Sequence, residues 1–295
     1  MKVEDIKNFL VLGAGTLGMR VGLQAAISGF NVKIYDISEK SFERAKQTHL
    51  KLLSHLEKEK RFTGKVNEVL SRIQFTANLE EATRDADFVN ESVTEDLNIK
   101  KSAWEKLDGL CPDHTIFTTN TSYMLPSMFL DFVGRTGKFC AFHFHDVFFA
   151  NVVDVMPHPG TDREVVNLLM EMGKKLDQIP VLVEKENPGY LFNSMLMAVI
   201  GAAGNLAVKD IASIEDIDRS WMGNFKMPMG PFGILDEIGL DTAWHVSHNQ
   251  KDAKSQRFAE FLKTYIDKNE LGVKTGKGFY TYPNPRFKDK DFLFN

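Results

Sequence analysis

The sequence predicts an α/β protein: a Rossmann-type doubly wound sheet followed by an all-helical C-terminal domain. Three observations predict it. Short apolar runs alternate with segments of helical spacing through the first part of the chain. A glycine-rich turn directly follows the first of those runs. Beyond Asn187-Pro188-Gly189 the pattern turns helical, with few β-branched runs. The chain has 295 residues, which suits two domains, and the expected division is 1–185 and 186–295.

Phe9-Leu10-Val11-Leu12 has the composition of a fully buried parallel strand. It runs into Gly13-Ala14-Gly15-Thr16-Leu17-Gly18. Gly13 makes the tight turn, Gly15 lets backbone approach a pyrophosphate, and Gly18 lets the next helix pack closely on the sheet. That helix is expected from about Thr16 to Ser28, with Gly29 as its stop. Asn31 to Tyr35 alternates as a second strand ending at Asp36. A carboxylate there can bond both ribose hydroxyls and repel a 2′-phosphate, so the expected cofactor is NAD rather than NADP. A lone glycine fingerprint is weak; strand, glycines, helix, strand and acid in that order are specific.

Glu39 to Lys60 has helical spacing and a charged face that includes Lys58. Such a face is ordinarily solvated; its functional reading is contact with an anionic ligand tail. Gln74-Phe75-Thr76 and Asp87 to Ser92 read as strands, and Glu95 and Lys100 open the helix that follows. Ligands of open α/β sheets sit at the C-terminal ends of strands, which makes Glu95 a candidate by position. Thr115 to Thr118, the next strand, delivers Thr119-Asn120-Thr121-Ser122 to the same rim.

Phe142-His143-Phe144-His145-Asp146 then reads as a strand end, with Asp154 on a strand over Val152 to Met156. Imidazole exchanges protons near neutral pH, and a carboxylate on its far nitrogen would fix the tautomer. Asp162 to Leu176 reads as an amphipathic helix and Pro180 to Val183 as the last strand. Asn193 falls on the first turn of the next helix.

Composition narrows the function classes. Hydrophobic residues make up 43% and charged residues 26%, with a formal net charge of −4 and no long basic run. That argues against nucleic acid as partner. Cys111 and Cys140 lie far apart without metal-binding spacing, and His245 and His248 lack a third ligand, so no metal is expected. The start carries no signal-peptide run, and Tyr190 to Val208 is too polar for a membrane span. A cytoplasmic protein with reduced thiols is the expectation.

At this point the sequence resembles the 3-hydroxyacyl-CoA dehydrogenase family, including its short 3-hydroxybutyryl-CoA dehydrogenases. The likeness covers nearly the whole chain. It runs from the glycine motif through Glu91-Ser92-Val93-Thr94-Glu95, Asn120-Thr121-Ser122, His143-Phe144 and Asn187-Pro188-Gly189-Tyr190-Leu191-Phe192-Asn193. It ends in Met227 to Phe232, Gly239 to Thr242 and Lys274 to Tyr280. The resemblance implies that His143 is the general base, oriented by Asp154. It implies that Ser122 and Asn193 hold substrate oxygens, that Glu95 orders the site between the domains, and that Lys100 and Asn120 lie near the nicotinamide. Lys58 falls where the family meets the CoA portion, and a homodimer is expected.

The chain departs from the family in three places. Asp146 stands where an Asn-Pro pair is usual, beside the substrate. Asp154 replaces a glutamate, in a segment one residue shorter. Phe148-Phe149-Ala150-Asn151 replaces a more proline-rich stretch. A slip inside a strand would turn the acid to the wrong face, so the deletion is expected in the loop. A 3-hydroxyacyl-CoA is the expected substrate. A free small 3-hydroxy acid is the first alternative, and a catalytically inactive NAD-binding protein the second.

Overall fold

β1 (Asn8–Leu12) is buried on both faces, and its side chains alternate between two apolar cores. Phe9 and Val11 join a cluster with Val32, Ile34 and Phe142, while Leu10 and Leu12 join one with Val89, Phe117 and Trp104. That is the period of two expected of a central parallel strand. The structure is a computed structural model that describes residues 1–294.

Around β1 the other strands are β2 (Asn31–Tyr35), β3 (Ile73–Thr76), β4 (Phe88–Glu91), β5 (Ile116–Thr119), β6 (Phe139–Phe144), β7 (Val152–Met156) and β8 (Ile179–Leu182). They form one sheet in the order β3-β2-β1-β4-β5-β6-β7-β8. β1 to β6 run parallel; β7 turns back antiparallel to β6, and β8 runs parallel to β7. The strand order reverses between β1 and β4, which opens a crevice beyond their C-terminal ends. Helices α1 (Thr16–Ile27) and α2 (Lys40–Lys58) follow β1 and β2.

The chain divides into two compact units, Met1–Leu191 and Phe192–Asn295. Among its described residues the second holds five α-helices, Phe192–Val208, Ile214–Phe225, Pro231–Ile238, Leu240–His248 and Ala253–Ile266. Their core gathers Ile200, Phe232, Leu235, Leu240, Phe258 and Leu262. Two buried carboxylates stitch this unit. Asp218 accepts the amides of Phe232 and Gly233 and the Tyr280 hydroxyl; Asp236 accepts the amides of Phe279 and Tyr280. No helix among the described residues is long and apolar enough to cross a membrane.

Candidate active site

The crevice is shaped by glycine where the sequence motif requires it. Gly13 has φ +107°, and a methyl group there would lie 2.7 Å from the Ser92 carbonyl oxygen. A methyl on Gly18 would collide with the Gly13 carbonyl oxygen, whereas Gly15 faces open space. No side-chain cap covers the first amides of α1, and such a helix start, with its donors and positive end, suits an anion. Asp36 is clipped to the loop: Oδ2 accepts the Ala14 amide at 2.8 Å and Oδ1 the Ser38 amide at 2.9 Å. Gly13, Gly15, Asp36, Ser92, Val93 and Thr94 line a cleft of about 700 Å³, large enough for much of a dinucleotide. The residues therefore fit NAD: the glycine loop would hold its diphosphate and Asp36 its adenosine ribose.

Beyond the crevice, a buried charge cluster fixes the rim. Lys100, 1% exposed, donates to Glu91 Oε1 at 2.7 Å and lies 3.3 Å from Glu95 Oε2. Thr119 Oγ1 donates to the other Glu91 oxygen at 2.7 Å. Glu95 also accepts the Ser122 amide at 3.0 Å and the Thr121 hydroxyl. Burial pushes the Glu95 carboxyl up, but Lys100 and these donors outweigh it and hold its pKa below the ordinary value. Asn120 links two strands: Oδ1 accepts the Phe144 amide at 2.8 Å, and Nδ2 donates to Ser92 Oγ at 3.1 Å.

His143 lies next to this rim on β6, 3% exposed. The β6–β7 ladder pairs it directly with Asp154, so both side chains leave the same face. The pairing of β6 with β7 is unbroken from Ala141–Met156 to Phe144–Val153, and the connection 145–151 lies outside it. His143 Nδ1 lies 3.4 Å from Asp154 Oδ2, and Nε2 lies 3.2 Å from Ser122 Oγ. If Nδ1–H donates to the carboxylate, Nε2 is left as an acceptor, and the Ser122 hydroxyl donates to it. Burial pulls the His143 pKa below its usual value against the opposing pull of Asp154, which leaves a neutral imidazole at neutral pH. For Asp154 burial acts upward, yet hydrogen bonds from His143 and His145 prevail and keep it a carboxylate.

Two further residues complete this corner. His145 Nε2 lies 2.9 Å from the same Asp154 oxygen, closer than His143. Its position two residues beyond His143, just past the end of β6, was the available signal, since continuing the period-two alternation puts it on the His143 face. The Tyr190 ring stacks on His143 at 4.8 Å between centroids, and its hydroxyl donates to the Thr121 carbonyl at 2.8 Å. Tyr190 sits inside the Asn187–Asn193 motif, but no local pattern predicts a ring stacked so far along the chain.

The remaining sequence candidates are Asp146, Lys58 and Asn193. Asp146 pairs with Arg20 of α1 and caps its own loop through the amides of Phe148 and Phe149. Arg61 Nη2 donates to the Phe148 carbonyl at 2.6 Å, and Gln178 Nε2 to that of Val147 at 3.1 Å. These bonds hold Val147 at φ +88°, which a β-branched residue rarely adopts. Lys58 is exposed at the end of α2. Asn193 lies on the first turn of helix Phe192–Val208 in the second unit, half-buried.

Known proteins resemble this chain over nearly its whole length. A family model described as the 3-hydroxyacyl-CoA dehydrogenase NAD binding domain matches residues 8–187, and one described as the C-terminal domain matches residues 189–282. The chain belongs to the 3-hydroxyacyl-CoA dehydrogenase family. Within the family it is 32% identical over 283 residues to a probable 3-hydroxybutyryl-CoA dehydrogenase of Bacillus subtilis, covering 94% of this chain and 98% of that one. A solved (S)-3-hydroxybutyryl-CoA dehydrogenase of Ralstonia eutropha superposes with a TM-score of 0.84 at 27% identity, over 95% of this chain and 100% of that one. A diketoreductase, described as acting on dicarbonyl compounds, superposes with a TM-score of 0.89 at 40% identity, over 94% and 99%. The protein is thus an NAD-dependent oxidoreductase of the 3-hydroxyacyl-CoA dehydrogenase family.

Proposed function

We propose that the protein interconverts a short-chain 3-hydroxyacyl-CoA and its 3-ketoacyl-CoA, with His143 as the proton acceptor during oxidation. The observation that carries this reading is the line Ser122–His143–Asp154. Its imidazole is kept neutral, turned with Nε2 toward a hydroxyl and Nδ1 toward a carboxylate. A substrate 3-hydroxyl placed between Ser122 Oγ and His143 Nε2 gives its proton to Nε2. Asp154 stabilises the imidazolium that forms, and the same nitrogen returns the proton during reduction. Ser122 orients the reacting oxygen, and Asn193 is assigned to a substrate oxygen on its motif alone. When bound, NAD supplies the hydride acceptor that the side chains lack.

A second reading has its own support. The 40% identity to a diketoreductase exceeds that to the CoA dehydrogenases named above, which favours a small dicarbonyl compound not carried on CoA. NADH absorbance separates the two across a panel of 3-hydroxybutyryl-CoA, acetoacetyl-CoA, free 3-hydroxy acids and small diketo esters. A kcat/KM higher for the thioesters supports the CoA assignment. Turnover confined to the free compounds moves the protein to the second reading, and no turnover with any of them removes both.

A further inference from the structure

His145 turns a catalytic pair into a three-donor cluster. One ligand atom from each of His143, His145 and Asp154 lies within 4.8 Å of the other two, the one such group of His, Cys, Asp and Glu among the described residues. Two donors of one tetrahedral zinc ion sit about 3.3 Å apart. Here each imidazole nitrogen meets the carboxylate oxygen at 3.4 and 2.9 Å. Two imidazoles and one carboxylate are a donor set that suits zinc and its neighbours and does not suit magnesium or calcium. The carboxylate supplies the charge that draws a cation in, and the His145 side chain, 11% exposed, is the least buried of the three.

We propose that His143, His145 and Asp154 form a site for a zinc-class dication, and that filling it switches turnover off. The chemistry of the switch is a proton count on one ring. A neutral imidazole carries one N–H, and metal on Nδ1 obliges that hydrogen to sit on Nε2. Nε2 then donates where it must accept, so it cannot take the proton of a substrate hydroxyl. Only this kinetic consequence rests on His143 being the base; binding itself is measured without turnover.

The test is calorimetric titration of the full-length protein with zinc chloride. Cobalt(II) absorption in a parallel sample serves as the coordination probe. The expected result is one ion per chain, tetrahedral cobalt bands, and turnover that falls as the site fills and returns with EDTA. His145→Gln keeps an N–H for Asp154 but is a poor metal ligand, and should weaken zinc binding by more than about tenfold. His248→Gln, at the exposed histidine pair of helix Leu240–His248, should bind zinc as wild type does. NADH titration checks that each variant is folded. If His145→Gln fails that check, histidine ring NMR of the wild type decides: zinc must shift His143 and His145 and spare His245 and His248. Undiminished binding in folded His145→Gln, loss in His248→Gln, or no stoichiometric binding overturns the site. Binding as expected without inhibition of an active enzyme overturns the switch; absence of turnover on every substrate refutes only the functional reading.

Discussion

Burial and a carboxylate pull on His143 in opposite directions, and burial wins. The imidazole is therefore neutral at neutral pH, as the proposed base must be, with Asp154 beside its Nδ1. Asp36 makes a different kind of choice. Its oxygens are already fixed by the Ala14 and Ser38 amides, and on the proposed ribose assignment its negative charge would oppose a 2′-phosphate. Asp36→Ala should raise the Kd for NADH and narrow the preference for NADH over NADPH, measured by fluorescence titration with both. Unchanged selectivity would remove the ribose assignment. As candidates both were within reach of the sequence, Asp36 by its spacing from the glycines and His143 by its residue type and the family resemblance. Arg20 beside Asp146 was not, since 126 positions separate them and only the folded loop joins them. His145 lay in view, but its chemistry depends on sharing an acceptor that strand register brings across.

At the scale of elements, the strands were readable because apolar runs and their period of two need no tertiary information. β1, β2, β4, β5 and β7 lie where the apolar patterning places them. The reversal at β7 was not readable, since side-chain alternation is the same in parallel and antiparallel pairs. That reversal matters, for it sets His143 directly opposite Asp154. The glycine turn offers a sharper test. Gly18→Ala puts a methyl into the Gly13 carbonyl oxygen, against backbone that has little room to yield. The turn must open, and NADH binding should weaken by at least about tenfold, on the order of 1.4 kcal/mol. Gly15→Ala meets no atom within 4 Å of the added carbon in the protein alone, so the fold should tolerate it and any loss should appear only with the dinucleotide.

Across the whole molecule, the two units should respond to acid with opposite sign. In the first, His49 is buried and hydrogen-bonded to the Met19 carbonyl at 2.8 Å. Burial lowers its pKa beneath the ordinary 6.5, so its contribution is complete above that pH and is lost as pH falls toward the folded value. In the second, burial pushes Asp218 from 3.8 up to about 6, despite three hydrogen bonds, with the carboxylate of Asp236 adding to the rise. Its contribution is complete below 3.8 and is lost as pH rises through about 6. Lowering the pH from about 7 to about 5 should therefore slow amide exchange in the second unit, by on the order of 1 kcal/mol in opening free energy. Protection in the first unit should fall. Mass-spectrometric hydrogen exchange, corrected for the intrinsic pH dependence, reads both; parallel changes would contradict the assignment. The helical C-terminal domain was legible in the shift to helical pattern after Asn187-Pro188-Gly189. The carboxylate pair was not, because Asp218 and Asp236 on their own look like ordinary helix-surface acids.

The account depends most on His143 moving the substrate's proton, and single-turnover NADH formation with His143→Gln tests it most directly. Using the best substrate of the panel, the rate should fall by about 10²–10⁴-fold while the Kd for NADH stays within about twofold of wild type. A variant that forms NADH at the wild-type rate, or loses NADH binding in step with its rate, would contradict it.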